Sequence, residues 1–175
     1  FHIVLVLSEE EFPKMMDELP DNLKLFVDNE LIEVLWVYRN YKSFKKVLFT
    51  MDKYRTVPVI SADDDCIYTC NYAQELYNAY MKDDRSIQTF HACPVTRYQH
   101  GPTTLYPPYC FLNYGIEKLN QSIMNTYHDD AYYGCLANTF KIHIHNIKDE
   151  ICYIFHDTTH ALSKEFTIQT KTAIK

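Results

Sequence analysis

Over the first 90 residues, short apolar runs of β-type alternate with stretches of helical periodicity, and that alternation leaves few folds open. His2 to Leu7 is almost wholly apolar, as a strand covered on both faces is. Leu19, Leu23, Phe26 and Val27 then recur at helical spacing around Pro20, a residue at home where a helix begins. Leu31 to Val37 is a second β-type run. Ser43 is placed to cap a helix in which Phe44, Val47, Leu48 and Met51 share one side, with Lys42, Lys45, Lys46 and Lys53 opposite. Val57 to Ile60 reads as a third strand, with Pro58 tolerable near its start, and Tyr72 to Met81 as a third helix with Leu76 and Tyr80 inward. Strand, helix, strand, helix, strand, helix predicts an α/β fold built on βαβ units, with helices covering the faces of a sheet.

The second half is less regular. Ile87 to Cys93 suits a further strand. His100 to Tyr109 is too rich in proline for regular structure and too aromatic for a disordered linker, which predicts an ordered loop that covers something. One short helix is expected within 113–124 and another from Thr126 to Ala137, followed by two late strands or a hairpin over 140–145 and 151–155. The tail from Ala161 is polar. At 175 residues with 47% apolar content the chain suits a single domain over 1–175 around one core.

Composition removes several functions. A net charge of −6 with no basic block excludes a nucleic-acid phosphate binder. No apolar run approaches the length of a membrane span. Six scattered cysteines without a C-x-x-C pair fit a reduced, cytoplasmic protein. With 3 glycines there is no G-x-G-x-x-G or Walker loop, so a Rossmann dehydrogenase or P-loop kinase is excluded. Phe1 to Leu7 already has the texture of mid-sheet, so an earlier strand is expected to be lacking.

The chemistry concentrates at two acidic clusters. The Val57–Ile60 run stops on Asp63, Asp64 and Asp65, three carboxylates that repel one another unless a cation or solvent screens them. A solvated acidic turn is one reading; a site for Mg²⁺ or Mn²⁺ at the carboxyl end of a strand is the other. Asp129 and Asp130 fall in the first turn of a helix, where they complement its dipole or do acid–base work. The lysines before the triplet are either a solvated helix face or, at the helix start, a reach toward a diphosphate. His143 and His145 share a strand face, and with Cys152, His156 and His160 raise zinc, although the spacing matches no familiar zinc module.

Ser61-Ala-Asp-Asp-Asp-Cys-Ile-Tyr68, Leu105-Tyr-Pro-Pro108 and Tyr127-His-Asp-Asp-Ala-Tyr132, in that order, resemble a family of bacterial-type sugar transferases related to family 2 glycosyltransferases of the GT-A fold. Ser8 to Pro13, Glu18-Leu-Pro20 and Lys42 to Lys46 resemble it too, so the likeness spans nearly the whole chain. It implies a GT-A-type, Rossmann-like and mostly parallel sheet flanked by helices, here amino-terminally truncated. It implies metal-dependent, inverting transfer of a sugar from a nucleotide-sugar donor to a glycan or other hydroxyl acceptor, with Mn²⁺ or Mg²⁺ as cofactor. Asp63 and Asp65 take the outer D-x-D positions as metal ligands, Asp63 alternatively facing the ribose. Asp64, Lys45, Lys46, Thr103 and Thr104 fall on the donor side, Asp130 is the general base and Asp129 partners the acceptor. Relatives open with a further strand and a base-cradling loop, and carry a glycine-rich turn where this chain has His100-Gly-Pro-Thr-Thr104. The expectation is therefore a transferase as the full-length parent, with weak or no activity in this piece. A non-catalytic sugar-nucleotide-binding remnant and a metal-dependent phosphohydrolase are the alternatives.

Overall fold

A computed structural model describes residues 1–64, 66–90, 103–111, 119, 121–126, 128–147 and 155–156. Strand β1 (Val4–Ser8) and strand β2 (Glu33–Val37) pair in parallel, from Val4 opposite Glu33 to Ser8 opposite Val37. Helix α1 (Asp21–Asp28) connects them and starts directly after Pro20, giving the first βαβ unit expected from the alternation. Its apolar side is poorly covered: α1 buries no residue, Leu25 is 62% exposed, and Leu19, which the periodicity put on the helix, is buried just ahead of it. On β2 the half-buried Trp36 meets Phe12 edge to face at 6.4 Å.

Helix α2 (Lys45–Lys53) follows a single 3-10 turn over Lys42–Phe44. Ser43 lies inside that turn, and the helix has no side-chain cap, so the capping role expected of Ser43 is not realised. The inward side is as read: Phe44, Val47, Leu48 and Met51 are all buried. Strand β3 (Val59–Ser61), strand β4 (Cys66–Ile67), helix α3 (Tyr72–Tyr80) and strand β5 (Ile87–Thr89) come next. Leu76 of α3 is fully buried, with Tyr72 and Tyr80 packed beside it.

Strand β6 (Thr104–Tyr106) occupies the stretch expected to be a loop, and lies between β3 and β5, antiparallel to both. Thr, Leu and Tyr suit a strand, and Pro107 and Pro108 fall after its end, so the prolines bound the strand rather than preclude it. Helix α4 (Gln121–Thr126) and helix α5 (Asp129–Thr139) follow. Strand β7 (Ile144–Asn146) pairs in parallel with β5, whereas strand β8 (Phe155–His156) pairs antiparallel with β4. The two late strands thus pair within different sheets, while residues 148–154, which hold most of the strand expected over 151–155, lie outside the described residues. The larger sheet, ordered β3-β6-β5-β7, is mixed where a mostly parallel one was expected. Residues 91–102, which include the end of the strand expected over Ile87 to Cys93, and the tail from Ala161 lie outside the described residues.

Alternation along these strands gives the sheet two dry faces. Val59, Ile87 and Tyr106 face α2 and α5 in the main core, while Ile60 and Leu105 face Leu76 of α3. The molecule is accordingly mixed α/β with helices on both faces. Among the described residues no helix is long and apolar enough to cross a membrane.

Scarcity of glycine leaves a mark on the turns. Met15, Glu30, Lys42, Tyr109 and Lys141 all hold positive φ, and Glu30 does so at φ 57 just past the end of α1, where the Leu31 N–H donates back to the Phe26 carbonyl at 2.9 Å. Side-chain-bearing residues pay roughly 1–2 kcal/mol for the left-handed region. Glu30→Gly is expected to raise stability by up to about 1 kcal/mol, since glycine's greater freedom when unfolded offsets part of the gain, and urea unfolding checks it.

Candidate functional site

Lys46 is the second residue of α2, and its ammonium turns inward, to the end of β3 and the start of α5. It pairs with Asp63 Oδ1, two residues beyond β3, and lies 3.0 Å from Asp129 Oδ2, in the first turn of α5. The two acidic clusters, 66 positions apart between Asp63 and Asp129 in the chain, therefore meet on one cation. The Lys46 side chain is 25% exposed and that of Asp129 10%, so the charges are partly removed from water. Burial by itself would lower the Lys46 pKa, but Asp129 and Asp63 outweigh it and raise the value, holding the amine protonated.

Asp130 follows on α5. Burial, with the Asp129 carboxylate next to it, pushes Asp130 up to about 8 against the pull of Lys46. A carboxyl with that value takes up or gives up its proton near neutrality, which is what a general base or acid requires.

Two tyrosines hold this geometry. The Tyr133 hydroxyl, fully buried on α5, donates to the Phe44 carbonyl at 2.8 Å, tying the start of α5 to the residue that precedes α2. Phe111 stacks on Tyr133 at 5.8 Å, and Tyr106 meets it edge on at 5.7 Å. Around Asp63, the backbone N–H donates to the Tyr68 hydroxyl oxygen at 2.5 Å, and that hydroxyl donates to the Asp63 carbonyl at 3.1 Å. Tyr68 stacks in turn on Tyr72 at 4.6 Å. Both tyrosines escape a motif reading; the one signal for Tyr68 is its place at the end of the Ser61–Tyr68 segment.

The remaining sequence candidates separate. Lys45, expected near the donor, pairs with Glu11, which also accepts from the Ser8 hydroxyl at 2.6 Å. The lysine row is mixed: Lys42 and Lys53 are exposed, as a solvated face would be, with Lys53 pairing with Glu33 at 2.5 Å, whereas Lys45 and Lys46 are partly buried. Asp64 is exposed, and Asp65 lies outside the described residues. Thr103 and Thr104 are a correction: both are fully buried, the Thr103 carbonyl accepts from the Thr89 hydroxyl at 3.1 Å, and the Thr104 hydroxyl donates to that of Thr89 at 3.2 Å. Thr104 lies on β6, an inner strand of the sheet, and Thr103 directly precedes it, so both side chains are closed off from solvent.

Among the described residues no three His, Cys, Asp or Glu side chains group as a metal site. Asp63 nevertheless supplies hard carboxylate oxygen and is 26% exposed, and Mg²⁺ or Mn²⁺ is commonly held by one or two carboxylates together with substrate phosphates. Asp63 by itself fits such a cation in kind, with its Oδ1 engaged by the Lys46 ammonium. No protein-family model matches the chain, and no curated protein matches it.

Lys46→Met leaves two carboxylates facing each other, and is expected to destabilise by about 3 kcal/mol at neutral pH, the low end for an unpaired buried charge. Adding Asp63→Asn should recover part of that loss in a double-mutant cycle read by urea unfolding. For Asp130 the sign is opposite to that of an ordinary paired carboxylate. Its pKa is raised on folding, so stability is lost as pH climbs from the unfolded value near 4 towards 8. Asp130→Asn should therefore melt a few degrees higher than the natural chain at pH 8, with the difference gone below about pH 4.

Proposed function

We propose that the chain is a GT-A-type domain of a metal-dependent sugar transferase, moving a sugar from a nucleotide-diphosphate donor to an acceptor hydroxyl with inversion. The observation that carries this reading is the meeting of Asp63 and Asp129 on Lys46, which puts a strand-end carboxylate and a helix-start acid pair into one place. The chemistry needs both. Departure of a nucleoside diphosphate concentrates negative charge on phosphoryl oxygens, and a poor nucleophile must lose a proton as it attacks.

Asp63, with Asp65, would hold Mn²⁺ or Mg²⁺, which when bound supplies Lewis-acid stabilisation of the departing diphosphate. Lys46 adds a fixed positive charge beside it and keeps the donor-side carboxylate in register with α5. Asp130 takes the acceptor proton, its raised pKa matching the task. Asp129, engaged by Lys46, orients that base rather than serving as a second one. Burial of Thr103 and Thr104 favours a second reading, a nucleotide-sugar-binding domain without turnover, since two donor contacts are closed off.

The test is incubation with Mn²⁺ and a panel of nucleotide sugars, followed by nucleoside diphosphate release with and without simple sugar acceptors. A transferase turns over one donor, slowly by hydrolysis and faster with an acceptor. Asp65→Ala abolishes this, and Asp130→Asn lowers it by about 10²–10⁴-fold while flattening the rise of rate towards pH 8. Binding without release supports the non-catalytic domain. Phosphate release from simple esters, with no preference for nucleotide sugars, would make the protein a phosphohydrolase.

A further inference from the structure

On the β7 edge of the four-stranded sheet, two histidines are held in a way that the transferase reading does not use. His143 and His145 flank Ile144, so the two-residue period of a strand puts both on one face. Gln88 lies opposite His145 in the parallel β5–β7 ladder, and the Ile87 N–H donates to the His143 carbonyl at 2.9 Å, which brings Ser86 beside His143. Both imidazoles are exposed, whereas Ser86 and Gln88 beneath them are buried.

The hydrogen bonds decide where the ring protons sit. Gln88 Nε2 donates to the Asp83 carbonyl at 2.9 Å and to the Ser86 carbonyl at 3.3 Å, which fixes the amide orientation and turns Oε1, an acceptor only, towards His145 Nδ1 at 2.8 Å. His145 Nδ1 therefore carries a proton, and in the neutral ring Nε2 is left with its lone pair. The same holds at His143. Ser86 Oγ gives its one proton to Asp83 Oδ2 at 2.5 Å, so towards His143 Nδ1, at 3.4 Å, it can only accept. Among the described residues neither Nε2 has a hydrogen-bond partner.

A ring whose Nδ1–H is anchored from below and whose Nε2 is bare and exposed is oriented as metal-ligating histidines are. We propose that His143 and His145 form a two-imidazole site for a late first-row divalent cation, Zn²⁺, Cu²⁺ or Ni²⁺, with water completing the coordination. Imidazole nitrogen prefers these ions to Mg²⁺ and Mn²⁺, so the site differs in chemistry from the carboxylates around Lys46. The Asp83 carboxylate, kept below the usual range by the Ser86 hydroxyl, adds negative charge on the same edge and is the group whose hydrogen bond directs the serine proton away from His143. Two protein ligands give weak binding and leave positions open for a further donor.

The experiment is calorimetric titration of the chelator-stripped chain with Ni²⁺ and with Zn²⁺ at neutral pH, paired with long-range ¹⁵N NMR of the histidine rings. The expected result is one equivalent of bound metal that His143→Gln or His145→Gln each weakens at least about tenfold, and that Ser86→Ala, which removes the acceptor for His143 Nδ1 along with the bond to Asp83, weakens by about tenfold. The metal-free spectra should show both rings protonated on Nδ1. All substituted histidines are exposed, so circular dichroism should be unchanged in their variants. Equal binding by the His143→Gln, His145→Gln double variant and the natural chain would overturn the proposal, as would an Nε2-protonated tautomer at either ring.

Discussion

An ammonium group held between carboxylates from two distant parts of the chain is the constraint on which the rest turns. Lys46 reaches Asp63 and Asp129 only if the start of α2, the end of β3 and the start of α5 converge, and each of those has a separate device securing it. Tyr133 bonds the carbonyl of Phe44, Tyr68 brackets the backbone of Asp63, and Phe44, Val47 and Val59 share a core with Tyr132 and Tyr133. Apolar packing supplies the attraction, and the ion pair supplies the register. Buried charge is poor glue by itself, because desolvation of the partners takes back much of what their attraction gives. Its use here is selectivity, since any packing that moved Lys46 would strand two acids.

That same triangle divides the acids by environment. Asp63 lies at a strand end with a quarter of its side chain open, and Asp129 is turned to the lysine, while Asp130 sits where burial and a neighbouring negative charge favour its protonated form. Of the two carboxylates side by side on one helix, one is thus tied up by an ammonium and the other is left with its proton affinity raised, the property that suits a group to acid–base work.

Much of the architecture was legible, for reasons that vary by element. Periodicity found the buried sides of α2 and α3 because they face a continuous core, as Val47, Leu48 and Leu76 show. It failed where partners decide. Strand β6 carries β-forming residues, but its neighbours in sequence are prolines, and only pairing with β3 and β5 on both sides makes it a strand. The alternation before and after residue 148 signals extended chain without saying what it pairs with, and β7 and β8 take different sheets. At the site, the sequence pointed to Asp63, Asp129 and Asp130 on separate elements, and in the fold Lys46 joins Asp63 to Asp129. Motif order could not choose between Lys45 and Lys46, one step apart on a helix, because the choice is made by Glu11 from one side and the two aspartates from the other.

The distribution of ring side chains carries a further consequence. The chain's sole tryptophan, Trp36, sits on β2 against Phe12, apart from the tyrosine-rich cluster that surrounds α5. Indole emission would then report on the parallel β1–β2 pair, and phenolic near-ultraviolet dichroism on the chain's 15 tyrosines, among them the buried Tyr106, Tyr132 and Tyr133 at the seat of the helix that bears Asp129 and Asp130. Coincident transitions in the two signals would mean that both parts of the molecule melt as one cooperative unit.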